Sequence, residues 1–479
     1  MIATRLPALV DELRAVVGGD GVLAAHCDLV VYECDGFVIE KNCPDVAVFP
    51  RNTAQVQAIV RVCAAYDVPF LPRGAGTSLA GGCLPVGGGV MIVLTRMKEI
   101  IEINLRDRYA VVQPGVVNVW LTQALKGTGY HYAPDPSSQG ACTIGGNVAT
   151  NSGGPHTLKY GVTVNHVLGV EAVLADGSLV EFGGPDADDA GLDLTGLLVG
   201  SEGTLAIVTK VWVRLTRDPQ GWRTMLAIFE SVTDATNAIS AIIGAGIVPA
   251  ALEMMDQGIL EAVEAAFHFG FPLDAQAILL IEVDGLEAGL DLQRDRIIAL
   301  CHEHLARDVR LAASAAERQL LWKCRKQAFG AVGRLSPSYC TQDGVVPRTK
   351  LPYILERIID IGRRHNIRIV NVFHAGDGNI HPILLFDERD AEQVTRVLAA
   401  SGEILDECIA CGGSVTGEHG IGVEKIAFMH KLFTESDLDV MSRVRDAFNP
   451  TGRLSPAKML PTAGACGLEQ RHPGRRAAL

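Results

Sequence analysis

The sequence predicts a two-domain α+β protein, and three observations predict it. The chain has 479 residues, more than the roughly 100–200 that one ordinary domain holds. Its first half alternates short strand-like and helical runs. From about residue 224 the pattern changes to longer helices separated by strands, as expected of a layered α+β arrangement. With 48% hydrophobic and 20% charged residues the chain can bury large cores, which excludes an intrinsically disordered protein.

Leu6, Leu9, Val10, Leu13, Val16 and Val17 recur at helical spacing and predict an amphipathic first helix. Asp45-Val-Ala-Val-Phe-Pro reads as a strand, Asn52 to Tyr66 as a helix capped by Asn52, and Val68-Pro-Phe-Leu-Pro as the next strand. Further strands are expected at Val90 to Leu94, Ala110 to Pro114, Val167 to Leu174 and Ala206 to Val213. Pro219-Gln-Gly is the best boundary signal, dividing the chain into residues 1–218 and 219–460. In the second part, helices are expected over Ser231 to Gly244 and Leu286 to Leu305, with a strand at Ala277 to Val283. The polar, basic end, 461–479, is expected to be disordered. No internal repeat is visible.

Forty-two basic residues against 55 acidic ones, a net charge of −13, argue against a general nucleic-acid or anionic-membrane surface. No stretch approaches the roughly 18–20 apolar residues of a bilayer crossing, and the start lacks the apolar core of a secretion signal. The reading is a soluble, cytoplasmic protein with no transmembrane segment. Twelve cysteines are scattered singly, unlike a disulfide framework. Cys408 and Cys411 make one C-x-x-C at the expected last turn of a helix, and no second pair completes a four-thiolate site. They are read as buried small side chains, so the chain holds no iron–sulfur cluster of its own.

Glycine is in excess, 51 of 479 residues, about 11% against an average near 7%. It falls in three clusters. Leu71-Pro-Arg-Gly-Ala-Gly-Thr-Ser-Leu-Ala-Gly-Gly follows a strand and can form a nest of backbone N–H groups, with Arg73, Thr77 and Ser78 adding donors. A Rossmann fingerprint is disfavoured, because Leu79 stands where the third glycine belongs and no helix follows. The second cluster, Pro134 to Gly161, is too rich in Gly, Ser, Thr and Asn for a core element and suits a backbone wrap around a flat polar ligand. The third is Val199-Gly-Ser-Glu-Gly-Thr-Leu.

In the second half, Ile369-Val-Asn-Val-Phe-His-Ala-Gly-Asp-Gly-Asn-Ile-His-Pro-Ile-Leu-Leu-Phe places two apolar runs around a glycine turn. His374 is expected to end one strand and His381 to begin the next, with their imidazoles side by side. Two imidazoles and a carboxylate suit a divalent metal, and Thr416-Gly-Glu-His-Gly offers Glu418 and His419 among glycines. A pair of hydrogen-bonded turn histidines is the competing reading.

Pro72-Arg-Gly-Ala-Gly-Thr-Ser-Leu, Cys142-Thr-Ile-Gly-Gly-Asn-Val-Ala-Thr-Asn-Ser-Gly-Gly and Gly200-Ser-Glu-Gly-Thr-Leu-Ala-Ile resemble the FAD-binding domain of the vanillyl-alcohol oxidase / p-cresol methylhydroxylase flavoproteins. From about residue 5 to 460 the chain is similar to the 2-hydroxy-acid dehydrogenase branch of that family, of the glycolate oxidase flavin-subunit type. The resemblance implies a p-cresol methylhydroxylase-type FAD-binding domain followed by an α+β substrate (cap) domain. It implies that Arg73, Gly74, Ala75, Gly76, Thr77 and Ser78 cradle the FAD pyrophosphate. Pro134, Asp135, Ser137, Thr143, Gly145, Gly146, Asn147, Ser152 and Gly153 would belong to the flavin wrap, with Glu202, Gly203 and Ile207 towards the adenosine and His156 in a segment near the flavin.

His374, His381 and Glu418 match the family's metal-ligand positions, for zinc or manganese; His419 matches its base, Asn379 lies beside them, and Arg325 matches a substrate-binding arginine. From the residues alone, a solvated basic helix face is an equal reading of Arg325. The implied reaction is oxidation of glycolate or D-lactate to the 2-oxo acid, with hydride passing to flavin. Tyr339-Cys-Thr-Gln stands where relatives acting on larger dicarboxylates carry a lysine, which favours a small monocarboxylate, and Asn449-Pro-Thr-Gly-Arg-Leu-Ser-Pro-Ala-Lys departs from the family's Asn-Pro-Gly-Lys at Lys458. The resemblance also implies an iron–sulfur electron-acceptor subunit, a second FAD-binding-like subunit, and peripheral placement at the inner membrane through them. The alternatives are a D-2-hydroxyglutarate or other D-2-hydroxy-acid dehydrogenase and, from other classes, a flavin-free metallohydrolase or a silent flavoprotein subunit.

Overall fold

The structure, a computed structural model, describes residues 2–185 and 191–461. The expected disordered end, 461–479, lies outside the described residues but for its first. Two compact units are present, and neither is one continuous stretch. Of the described residues, the first takes those up to Ser152, those within Val162–Arg217 and those from Glu418 to 461; the second takes Gly153–Gly161 and Asp218–Gly417.

The first unit contains two main sheets and a two-stranded pair, Tyr130–His131 with Thr216–Arg217. In the smaller main sheet, the order is Val22–Leu23, Val46–Val48, Val90–Val93 and Phe70–Arg73, with the last three strands parallel. All four residues of Val90–Val93 are buried, as expected of a parallel strand covered on both faces. The helix Ile2–Val17 supplies Leu9, Leu13 and Val17 to this core, and the helix Thr53–Tyr66 supplies Val56, Ile59 and Cys63. The side chain of Asn52 accepts from the Gln55 amide, starting that helix as read. The other sheet is antiparallel, ordered Ile100–Asn104, Tyr109–Val112, Ile207–Arg214, Val167–Val173 and Leu179–Gly183. Burial alternates along Ile207–Arg214, the period-two signature of a strand with unlike faces. Late in the chain, the Phe70 amide donates to Arg453 O (2.9 Å) and the Ser455 amide donates to Phe70 O (2.8 Å), which seats residues 453–455 along the strand Phe70–Arg73.

In the second unit the main sheet is ordered Ala306–Leu311, Gly221–Phe229, Ala277–Gly285, Ala251–Asp256, Arg368–His374, Asn379–Ile380 and Gly344–Val345. Pro382–Phe386 pairs with both Arg368–His374 and Ser338–Thr341. The helices Gln257–Phe267 and Ala315–Val332 pack on it through Ile259, Val263, Cys324 and Ala328. The helix read as Leu286 to Leu305 runs Leu290–Glu303, because Gly289 before it has φ 97 and breaks the helical path. Cys408 is buried and Cys411 caps the helix Ala391–Ala410.

The register of this sheet matters for chemistry. Leu280 pairs with Glu253, Glu253 with His374, His374 with Asn379, and Asn379 with Val345. Residues directly opposite one another share a face, so one level of the sheet carries Glu253, His374 and Asn379 in a row. Two residues along, Thr224, Glu282 and Ala251 form a second row on the same face. The hairpin is offset from the one expected: Pro382 pairs with Asn371, and His381 sits between two short strands rather than opposite His374.

Candidate functional site

Within the first unit the three glycine clusters come together. A Cβ on Gly74 would lie 2.5 Å from Thr143 Oγ1, so the first cluster touches the second only because residue 74 is glycine. The Gly200 and Glu202 amides donate to Val148 O (2.8 Å) and Ala149 O (2.7 Å), and a Cβ on Gly203 would lie 2.6 Å from Pro72. Thr143 caps the short helix Ile144–Thr150 through the Gly146 amide, leaving Gly145 and Gly146 part-exposed. Behind them Asn147 is buried, accepting from Asn118 (3.0 Å) and donating to Ser152 (3.1 Å). Pro134 contributes its carbonyl to Asn118 (3.0 Å). Asp135, Ser137 and Thr77 are part-exposed, Ala75 is exposed and Gly153 is buried. Ser78 Oγ is buried with no hydrogen-bond partner among the described residues, a polar atom that a bound group would satisfy.

Three expected contacts take different roles here. The Arg73 guanidinium turns inward, both Nη atoms donating to Cys34 O at 3.0 Å and the side chain lying over the Tyr32 ring. It braces the nest from behind rather than adding a donor to it. The Glu202 carboxylate accepts the Ile421 and Gly422 amides (2.7 and 2.8 Å). Burial pushes its carboxyl above the ordinary range, against the pull of those amides and of Lys458 and Lys425. The Ile207 side chain is fully buried in the core beneath the parallel sheet. Lys458 likewise points into the protein, donating to Gly81 O (3.0 Å) and to Leu84 O.

In the second unit the row of the sheet becomes a charged centre. His374 Nδ1 lies 2.9 Å from both oxygens of Glu253, and Arg325 Nη2 lies 2.6 Å from Glu253 Oε2. All three side chains are buried. Burial raises the Glu253 carboxyl, but the Arg325 guanidinium and the hydrogen bond from His374 outweigh it and hold it below its ordinary value. Arg325 is therefore no solvated helix face. Its Nε, Nη1 and Nη2 are all buried without a hydrogen-bond partner among the described residues, the Nη2 contact with Glu253 being an ion pair only, so donors remain for an anion.

The His374 and His381 rings stand edge to face with centroids 5.2 Å apart, and His381 Nε2 is 3.4 Å from Asp343 Oδ1. Asp343 Oδ2 accepts from Thr416 Oγ1 (2.6 Å) and from the Gly417 amide (3.0 Å). That bond fixes the chain at the residue preceding Glu418 and His419. A Cβ on Gly417 would come within 2.6 Å of the Asn379 amide, whose buried Oδ1 lacks a hydrogen-bond partner among the described residues.

Glu253 and Glu282 escaped the sequence reading. Their signal was a carboxylate inside the apolar strands Ala251-Leu-Glu-Met-Met and Ala277-Ile-Leu-Leu-Ile-Glu-Val, a placement that requires a buried partner. Glu282 accepts from Arg318 Nε and Nη2 (2.7 and 2.6 Å), Trp322 Nε1 (2.8 Å) and Thr224 Oγ1 (2.5 Å). His156 Nε2 lies 3.8 Å away, its ring tilted on Trp322 at 4.9 Å. Burial opposes ionisation, yet these donors bring the Glu282 carboxyl down to about 2.

Comparison with known proteins agrees with both halves. Residues 44–183 match the FAD binding domain and residues 218–459 match the C-terminal domain of FAD linked oxidases. The chain is 45% identical to glycolate oxidase subunit GlcD of Escherichia coli (strain K12), covering 95% of this chain and 91% of that protein. The chain belongs to the FAD-linked oxidases. Another member, glycolate oxidase subunit GlcD of Bacillus subtilis (strain 168), is 39% identical over 94% of this chain and 96% of its own length. The fold is that of p-cresol methylhydroxylase: its substrate-bound crystal structure superposes with a TM-score of 0.78 at 18% identity, covering 95% of this chain and 96% of that one.

FAD is thus the cofactor of this FAD-linked oxidase, and the converging glycine clusters with the unsatisfied Ser78 hydroxyl fit it. The donors in the second unit, two neighbouring imidazoles and an unpartnered amide oxygen, also fit a divalent metal. Among the described residues no helix is long and apolar enough to cross a membrane.

Proposed function

We propose that this FAD-linked oxidase converts a small 2-hydroxy acid, glycolate first among them, to its 2-oxo acid. The observation that carries the reading is Arg325 beside His374: a buried guanidinium with open donors next to a buried imidazole pair. Domain 1–218 holds the cofactor and domain 219–460 the substrate groups. Bound FAD supplies the two-electron acceptor. The Arg325 guanidinium holds the substrate carboxylate by charge-assisted N–H bonds. His374, His381 and Glu418, which follows Gly417 in the chain, would hold zinc or manganese, supplying a Lewis acid that lowers the pKa of the substrate hydroxyl. His419 takes the hydroxyl proton at its imidazole, and the Asn379 amide orients that oxygen. Tyr339 to Gln342 contain no lysine, which favours a monocarboxylate over a dicarboxylate.

Electrons leave through a separate iron–sulfur subunit, with a second FAD-binding-like subunit in the assembly, consistent with relatives named as oxidase subunits. The chain is cytoplasmic and reaches the inner membrane only through those partners. An anaerobic panel of small 2-hydroxy acids, both enantiomers where they exist, tests the reading by flavin bleaching. Glycolate is expected to bleach the flavin, and a chelator to slow it. A flavin left oxidised by every member of the panel would refute the proposal.

A further inference from the structure

We infer that Glu253 is a positioning residue whose single carboxylate sets both the imidazole of His374 and the guanidinium of Arg325. The inference deepens the proposed function and rests on its assignment of His374 as a metal ligand. The sheet register puts Glu253 and His374 directly opposite each other on one face, so the contact is built into the backbone pairing. Both carboxylate oxygens lie 2.9 Å from His374 Nδ1, which centres the ring on the carboxylate and fixes its plane.

An acceptor on Nδ1 selects the tautomer with hydrogen there and leaves the Nε2 lone pair for a ligand. The same carboxylate forms an ion pair with Arg325 Nη2 at 2.6 Å, and none of the three guanidinium nitrogens has a hydrogen-bond partner among the described residues. A buried ion pair is a poor device for stability, since packed apolar side chains serve as well. Its geometry here does what they cannot, because one rigid group ties the metal-binding nitrogen to the carboxylate-binding cation. The competing account is a plain ion pair, with His374 doubly protonated and Glu253 merely neutralising its neighbours. In that account His374 ligates nothing.

Cobalt(II) titration of the FAD-loaded full-length chain separates the two, read by visible absorbance of the bound ion with flavin stoichiometry measured alongside. Wild type is expected to bind cobalt, Glu253→Gln to bind it about 10–100-fold more weakly, and Glu253→Asp to fall between, all with unchanged FAD content. A Glu253→Gln chain that keeps its FAD and binds cobalt like wild type overturns the inference. Should that variant fail to fold, Glu253→Asp carries the test, and wild-type affinity in it overturns the inference equally. If wild type and His374→Ala bind no cobalt alike, the metal assignment falls and the inference with it; in that case the wild type itself fails, which tells the two failures apart.

Discussion

At the scale of single residues, the chemistry divides between groups that local sequence exposes and groups that only a partner explains. His374 and His381 were legible because a glycine turn between apolar runs brings neighbouring strands together, and their rings do meet. His381 is nonetheless outside the expected pairing, because the strand after the turn is broken at that residue. Arg325 was ambiguous in sequence and is decided by Glu253, a residue 72 positions earlier in the numbering, which makes its full burial tolerable. His419→Ala is expected to slow glycolate-dependent flavin reduction by about 10²–10⁴-fold, the usual worth of a positioned base, and His374→Ala to abolish it. Stopped-flow bleaching with FAD content as a control checks both, and near wild-type reduction in both would refute the proposed roles.

At the scale of elements, the second unit's sheet and the helix Ala315–Val332 act as a pair. Arg318, Trp322 and Arg325 recur at i, i+4 and i+7, one helical face, and meet Glu282 and Glu253 on the sheet. Glu282 has a pH signature. Its folded pKa is lowered from 4.5 to about 2, so its contribution to stability is fully present above the unfolded value and is lost as pH falls through that window. The shift corresponds to roughly 3 kcal/mol. Urea unfolding is expected to show Glu282→Gln less stable than wild type by about that amount at pH 6, with the gap narrowing at pH 3.5. A gap that does not change with pH would show that the carboxylate's charge is not what holds this helix to the sheet. The strands and helices themselves were mostly legible, since amphipathic spacing and the Asn52 and Ser231 caps are local signals.

At the scale of the whole molecule, the late segment of the chain returns to the first unit. Residues 453–455 pair along the strand Phe70–Arg73, Ser455 Oγ donates to Gly203 O (2.8 Å), and Lys458 is buried against Gly81 O and Leu84 O. Two of the three glycine loops are therefore braced from the far end of the sequence. Deleting residues 453–461 is expected to lower FAD occupancy of the purified chain severalfold; full occupancy in the truncated chain would show the brace to be dispensable. The sequence by itself determined the α+β class, the glycine clusters that suit a flavin wrap, and the histidine turn, because each depends on residues within a few positions of one another. Only the tertiary structure showed that the side chains of Arg73, Glu202 and Lys458 have protein partners, that Ile207 is buried in the core, and that Glu253 and Glu282 meet Arg325 and Arg318. The physical reason is that a buried charge is defined by its partner. For Glu253 and His374 that partner lies 121 residues away, brought opposite by strand register, which no local pattern records.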